Sequence, residues 1–518
     1  EAAALGSLGD TYRLRGNYEA AIEQLQASLA IATDLNDPVY TMSIQNSLGN
    51  AYLSLAQVNY RQVMVYEQAL SSSQTGVVYP EATALRTQAK DHDQRALLYL
   101  QQSLQTAETT DDAEMQVRIL LSLIPVYYRS GATAEAEAAL EQAKSTWAGM
   151  KNSQEKVFFA LDLAQFIQTP PVAEVPISRW QCSIAETNPI ATPLIEQAVS
   201  IAEQINDPRS QSFALGELGH VYECNQNYDR ALELTRQAQL IADQDLGSKD
   251  SLYLWQWQAG RIFKAQAGKQ ADKQADKQAE QLSAAIRAYE EAANTLKTVQ
   301  DDIIVANREV RFDFRDTVEP IYRELVQLRL EQEQPSTLIP TPLNGTNNIS
   351  QAMSTLDSLK LAELQNYFGN DCVLSALDQG TIHLTSIQDT NVAVLSTVML
   401  GDRTAVILSF RDQTPQLQQK IEWIRDREGN YVDRATLIDQ VNQYRQSLEN
   451  VQDLAVGLRG YNRDYAAQLY DWVIRPFLPI LQAQSIETLV FIQDGIFRSI
   501  PMAALYDGEQ FLIEHYAL

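Results

Sequence analysis

Four histidines (His92, His220, His383, His515) and three cysteines (Cys182, Cys224, Cys372) are the side chains of this 518-residue sequence that could form a thiolate–imidazole pair. Such a pair supports nucleophilic attack on a carbonyl, because imidazole helps generate the reactive thiolate. The cysteines stand far apart, with no CxxC and no even framework. That pattern predicts reduced, buried structural thiols in a cytoplasmic protein. No metal and no cofactor is expected. Cys182 and Cys224 fall within a helical repeat region, and Cys372, in GNDCVL, lies just past a predicted helix.

The chain is long enough for two or more domains. Its net charge is −26. From residue 334 onward there are 12 Lys+Arg and 21 Asp+Glu, against 28 and 45 before it, so the acidity is spread along the chain. An acidic surface repels nucleic acid and anionic membrane, and suits a soluble helical protein or a basic partner. It also disfavours a transcriptional regulator, as no basic helix-turn-helix is present. No apolar run reaches membrane-spanning length, and no signal peptide opens the sequence.

The elements that must hold these residues begin with an internal repeat. IATDLNDPVYTMSIQNSLGNAY from Ile31 and IAEQINDPRSQSFALGELGHVY from Ile201 share Ile, Ala, Asn-Asp-Pro, Leu-Gly and Tyr in one register, 170 residues apart. Leu8-Gly9 and Tyr12 repeat the second part 40 residues before Leu48-Gly49 and Tyr52. A polar turn follows each Tyr, then a helix with small residues near its start, at Ala20-Ala21, Ala136 and Ala231. Gly9, Gly49 and Gly219 leave room for a paired helix to approach. Asn-Asp-Pro is expected to end the second helix, which Pro cannot continue. A hairpin cannot bury its apolar stripe alone, so several must stack. Roughly seven units are expected over residues 1–300. Those near 84–105, 119–145 and 157–203 are degenerate, with Ile124 and Pro125 where the Gly is expected.

This pattern resembles the tetratricopeptide repeat in a longer form of about 40 residues. The resemblance implies a groove for a protein or extended peptide, with Asp10, Asn50 and His220, each following the glycine, as groove candidates. No carboxylate clamp of Lys and Asn is evident. Two insertions interrupt the array: a proline-rich one at 168–189, and GKQADKQADKQAEQ at 268–281, read as a lengthened helix.

After a helix at 311–331, a Pro/Gly/Asn-rich linker spans 334–350, and a helix covers Ala352–Phe368. NVAVLSTVML and RTAVILSF predict a hairpin at Gly401-Asp402. Helices are expected at 434–449 and about 464–475, the latter closed by Pro476 and Pro479. A strand at Thr488–Ile492 ends at Asp494-Gly495, and a second apolar run, Phe511–Leu518, is read as a strand carrying His515. Strands alternating with helices imply an α/β layer fold.

TVEPIYRELVQL, SLKLAELQNYF, DRTAVILSF, LYDWVIRPF and LVFIQDGIFRSIPMAALYDGEQFLIEHYA, in this order, resemble the CHAT family, caspase-like cysteine peptidases associated with tetratricopeptide arrays and frequent in cyanobacteria. The resemblance implies an α-solenoid followed by an incomplete α/β caspase-like domain. Its parts would be the array at 1–333, the linker, a connecting helix at 351–370, a pseudo-caspase half at 371–485 and the first strands of the catalytic half from 486. It implies Cys–His catalysis, yet no His here is followed by Gly after a strand, and no Cys stands about 50 residues after such a His. No catalytic residue is therefore assigned within these residues. Glu1 inside a helical pattern and a strand at the end read as a piece of a longer protein, with the dyad beyond Leu518. Asp494 and Arg498 would flank the active-site edge, where Arg498 could read a substrate carboxylate or carbonyl. The main reading is a partner-gated peptidase portion; the alternative is a non-catalytic scaffold.

Overall fold

Six of the described helix-to-helix turns are closed by the same local chemistry. The residue after the first helix takes positive φ, at Gly16, Asn36, Asp111, Gly131, Asn206 and Gln226. The next backbone N–H reaches back five residues, as in Asn17 to Tyr12 (3.0 Å), Asp112 to Ala107 (3.0 Å) and Asn227 to Tyr222 (2.9 Å). These are the six-to-one bonds of Schellman caps, which satisfy carbonyls the helix leaves open. In five of the six a side chain then caps the next helix, as Asn17 accepts from Ala20 N–H, Asp112 from Met115, Asp207 from Ser210 and Asn227 from Arg230; after Gly131 the cap position is Ala132, which has no such group. Asn-Asp-Pro thus does more than stop a helix. Asn36 and Asn206 take the left-handed cap, Asp37 and Asp207 cap the next helix, and Pro38 and Pro208 begin it.

The structure, a computed structural model, describes residues 1–70, 80–171, 174, 180, 182, 191–245, 248–270, 275–306, 318–333, 338–340, 347–368, 389–412, 416–449 and 462–518. The chain forms two compact units, Glu1–Val65 with Val78–Val318 and Tyr66–Val77 with Glu319–Leu518. The repeat helices are α1 (Ala2–Leu14), α2 (Tyr18–Asp34), α3 (Pro38–Leu70), α4 (Pro80–Thr109), α5 (Ala113–Arg129) and α6 (Thr133–Gly149). They continue with α7 (Gln154–Gln168), α8 (Ala191–Ile205), α9 (Pro208–Cys224), α10 (Tyr228–Gln244), α11 (Lys249–Gln270) and α12 (Ala275–Ala306). Among the described residues this gives six helix pairs rather than about seven, because α3 and α4 run to 33 and 30 residues.

The glycines perform the expected role. A Cβ on Gly9 would lie 2.6 Å from Leu25 and 3.1 Å from the Ala21 carbonyl. On Gly49 it would meet Leu100 at 2.5 Å, and on Gly260 Tyr289 at 2.6 Å. The tightest case is Gly216, whose Cβ would sit 2.4 Å from the Trp255 ring. That indole is fully buried and donates to Ser212 Oγ (2.9 Å), so it cannot swing away. Gly216→Ala should lower the melting temperature of the array: overpacking of ~1–3 kcal/mol outweighs the ~1 kcal/mol helix-propensity gain. A raised melting temperature would show that the indole has room to move.

One buried ionic network ties three of these helices. Arg129 on α5 donates to both carboxylate oxygens of Asp93 on α4, through Nη2 at 2.5 Å and Nε at 3.0 Å. Tyr60 on α3 donates to Asp93 Oδ2 at 3.0 Å. The side chains of Arg129 and Asp93 are 1% and 8% exposed. Burial, then Asp93, pushes the Tyr60 phenol up, so it remains a donor.

The long segment of the second unit opens with α13 (Glu319–Glu331), whose Ile321, Leu325 and Leu328 are buried. After α14 (Asn348–Phe368) come β2 (Val392–Met399), β3 (Thr404–Arg411), β4 (Leu417–Trp423) and β5 (Thr488–Ile492). With β1 (Ile339–Pro340) they form a sheet of order β1-β4-β3-β2-β5. The β2–β3 hairpin pairs Met399 with Thr404, and β5 runs parallel to β2 with Val392 opposite Thr488 and Ser396 opposite Ile492. Leu395, Leu408, Val441, Leu469, Phe477 and Leu489 share one core beneath the sheet. The described residues of 393–486 and the closing segment therefore share a single core.

The structure corrects four local expectations. The predicted linker contributes β1, whose Ile339 pairs with Gln419 on β4. β4 was missed because LQQKIEW is polar, yet Gln419 is buried and bonded to Ser350 and Ser409. Pro479 does not close a helix: Arg463–Val473 ends first, and Pro479 lies in the first turn of Leu478–Ala483. The run from Phe511 is a helical turn, Leu512–His515, and only Ala517 bridges to Thr488.

Candidate functional site

Asp494 lies two residues beyond β5, at the carboxyl ends of the parallel pair, and is 2% exposed. Its Oδ2 accepts from the Met399 N–H (3.0 Å) at the end of β2 and from Arg323 Nη1 on α13 (2.9 Å). Its own N–H donates to Thr397 Oγ1 (3.0 Å). Arg323 also donates to the Met399 carbonyl (2.8 Å) and to Glu319 (2.5 Å). Burial opposes the charged Asp494, but Arg323 and the Met399 N–H hold its carboxyl below the ordinary value. Gly495 follows at φ 54°, and a Cβ there would sit 2.4 Å from Met399 Sδ, so the turn accepts only glycine.

Arg498 behaves differently. Its side chain is half exposed; Nε donates to the Gln493 carbonyl (3.2 Å), and Nη2 stands 3.8 Å from Asp494 Oδ1. On α14, burial raises the carboxyl of Glu363, while Arg323 and Arg498 lower it. The two residues expected at this edge are therefore brought together but divided in role. Asp494 is committed to a buried tie between strand and helix, and Arg498 presents the exposed positive charge. Arg323 was missed; its only sequence signal is the Glu319–Arg323 spacing of four on a helix.

The three groove candidates also differ. Asp10 is partly buried, 3.5 Å from Arg13, and accepts from Ser47 Oγ (3.3 Å). Asn50 donates to Asn46 and accepts from Ser122 Oγ (3.0 Å) on α5. Both lie where one first helix meets the next. His220 is 5% exposed, and its Nδ1 lies 2.9 Å from Glu223 Oε2. Arg261 donates to both Glu223 oxygens at 2.8 Å. Burial favours the neutral Glu223, yet Arg261 and His220 hold it ionised, with a pKa of about 2.

The expectation of separate, reduced thiols is overturned: Cys182 and Cys224, 42 positions apart in sequence, form a disulfide with Cα atoms 5.1 Å apart. Trp180 is buried edge-on against His220 of α9, at 5.9 Å between ring centroids. The reducing-compartment argument does not hold for this pair. With His220, these cysteines also form a three-residue group whose ligand atoms lie within 4.8 Å of one another. His92 is partly buried beside Tyr52, and His515 reaches Asp507 at 3.0 Å on its helical turn. Cys372, His383 and most of the 168–189 insertion lie outside the described residues; of 268–281 only 271–274 do, with 268–270 ending α11 and 275–281 opening α12.

Residues 463–518 match the family model of the CHAT domain, and residues 4–39 match that of the tetratricopeptide repeat. The chain thus joins a tetratricopeptide-type helical array to CHAT-domain sequence. No curated protein matches it. No described helix is long and apolar enough to cross a membrane.

Proposed function

We propose that these residues form the partner-binding array and part of the caspase-like domain of a CHAT-type cysteine endopeptidase, gated by a protein bound to the repeats. The supporting observation is that the CHAT match covers β5 and its Asp494 turn, at the carboxyl end of a parallel strand pair. In α/β sheets of this kind, sites gather at that end. Gating then requires the partner to bind one arrangement of the protease more tightly than another. The alternative, a scaffold that never catalyses, draws support from Asp494, whose carboxylate is committed to Arg323.

The chain of 518 residues should cleave no member of a fluorogenic peptide library; cleavage that disappears in Cys372→Ala would overturn this assignment. Peptides selected on the chain from a displayed library should bind about tenfold more weakly, ~1.4 kcal/mol, to Asp10→Ala combined with Asn50→Ala. Unchanged affinity would remove those residues from the groove. Cleavage that appears once a selected partner is added favours the peptidase, and its absence favours the scaffold.

A further inference from the structure

We propose that, once their disulfide is reduced, Cys182, Cys224 and His220 hold one zinc-class divalent cation, so that metal and disulfide are alternative occupants of one site. Two thiolates and an imidazole suit a borderline-soft ion of tetrahedral preference. His220 and Cys224 stand four residues apart on α9, on one face of the helix. His220 Nε2 lies 3.6 Å from Cys224 Sγ. Ligands at the usual zinc–nitrogen and zinc–sulfur distances of about 2.1 and 2.3 Å, at a tetrahedral angle, are separated by about that much.

The surroundings complete the arrangement. The Glu223 carboxylate against Nδ1 places the ring proton there and leaves Nε2 as the ligand nitrogen. Cys224 Sγ lies 3.6 Å from Nε2 and 3.9 Å from Nδ1, beside the ring rather than along the Nε2 lone pair, so breaking the disulfide must free the Cys224 side chain to turn before both ligate one ion. Arg261 fixes that carboxylate, and its guanidinium packs 4.4 Å from the Trp257 ring. Trp180 closes one side against His220, Trp255 and Trp257. Cys182 is exposed, so the fourth coordination position opens to solvent, as in three-ligand zinc sites that keep a water.

Exchange between the two states balances with a small-molecule disulfide as oxidant. One cysteine thiolate attacks it, and the other displaces the resulting mixed disulfide. The Cys182–Cys224 bond forms, two small thiolates carry away the electron pairs and take protons from water, and the cation leaves hydrated. Reduction by a dithiol reverses the step and restores both ligands.

The test uses the full chain, reduced with a phosphine under argon and titrated with Co(II), then Zn(II). One Co(II) per chain should give the visible absorption of tetrahedral thiolate coordination, bleached by an equivalent of Zn(II). Cys182→Ser, at an exposed position, and Cys224→Ser should abolish the band, His220→Ala should weaken and shift it, and Cys372→Ser should leave it intact. Adding a small-molecule disulfide should release the metal and remove two titratable thiols together. No band while the thiols titrate as free, or a band that survives both Cys182→Ser and Cys224→Ser, would overturn the proposal. If His220→Ala fails to fold by circular dichroism, the serine variants decide alone.

Discussion

Arg129→Met should cost the repeat array about 3–5 kcal/mol, because it strands the buried Asp93 carboxyl without its cation, leaving the Tyr60 hydroxyl as its donor among the described residues. The methionine stem preserves packing along α5, so the loss reads the missing charge and its two hydrogen bonds. The magnitude follows from burial: exposed ion pairs contribute ~0–1 kcal/mol, whereas removing one member of a desolvated pair strands the other. The double variant Arg129→Met with Asp93→Leu should recover most of the loss, since no charge remains to be solvated. Urea denaturation followed by circular dichroism, together with hydrogen exchange of α4 and α5 amides, measures both variants. A single-variant loss below ~1 kcal/mol would mean that water reaches Asp93 readily.

Asp494→Ala should destabilise the α/β unit by a similar amount, ~3–5 kcal/mol, through the same mechanism acting on Arg323. The change also removes the acceptor for the Met399 N–H and loosens the turn that Gly495 fits against Met399. Arg498→Ala, by contrast, removes a half-exposed side chain and should shift stability by no more than ~0.5 kcal/mol. The pH dependence has a definite sign. The folded carboxyl of Asp494 titrates below the ordinary aspartate value of 3.8, so its contribution is fully present above that pH. It is lost as pH falls through the lower, folded value. Melting temperatures of the parent and Asp494→Asn should therefore differ most near neutrality and converge below about pH 3.8. A constant gap down to the acid limit would assign the effect to shape rather than charge.

The repeat was legible in the sequence because its signals are local. Asn-Asp-Pro, the glycine before Asp10 or Asn50, and the small residues opposite act within one hairpin, and each recurs in register. The strands of the hairpin at Gly401-Asp402 were readable for the same reason: β-branched runs with a turn between them. β4 escaped because its buried glutamine and lysine are satisfied by partners from other elements, Ser350, Ser409 and the Pro476 carbonyl. The run from Phe511 misled because an apolar, short segment does not choose between strand and helical turn by periodicity alone.

Local chemistry in the sequence determined the helix pairs, their caps, the close approach at Gly9, Gly49 and Gly219, the acidic charge and the kinship of the final segment with CHAT domains. Tertiary structure alone decided the pairings that matter for chemistry. Asp494 meets Arg323 across 171 residues, Arg129 meets Asp93 across 36, and Cys182 meets Cys224 across 42. The physical reason is that capping and propensity depend on a few neighbouring dihedrals. A buried ion pair or a thiol–imidazole cluster depends instead on which distant elements the packed core brings within 3–4 Å.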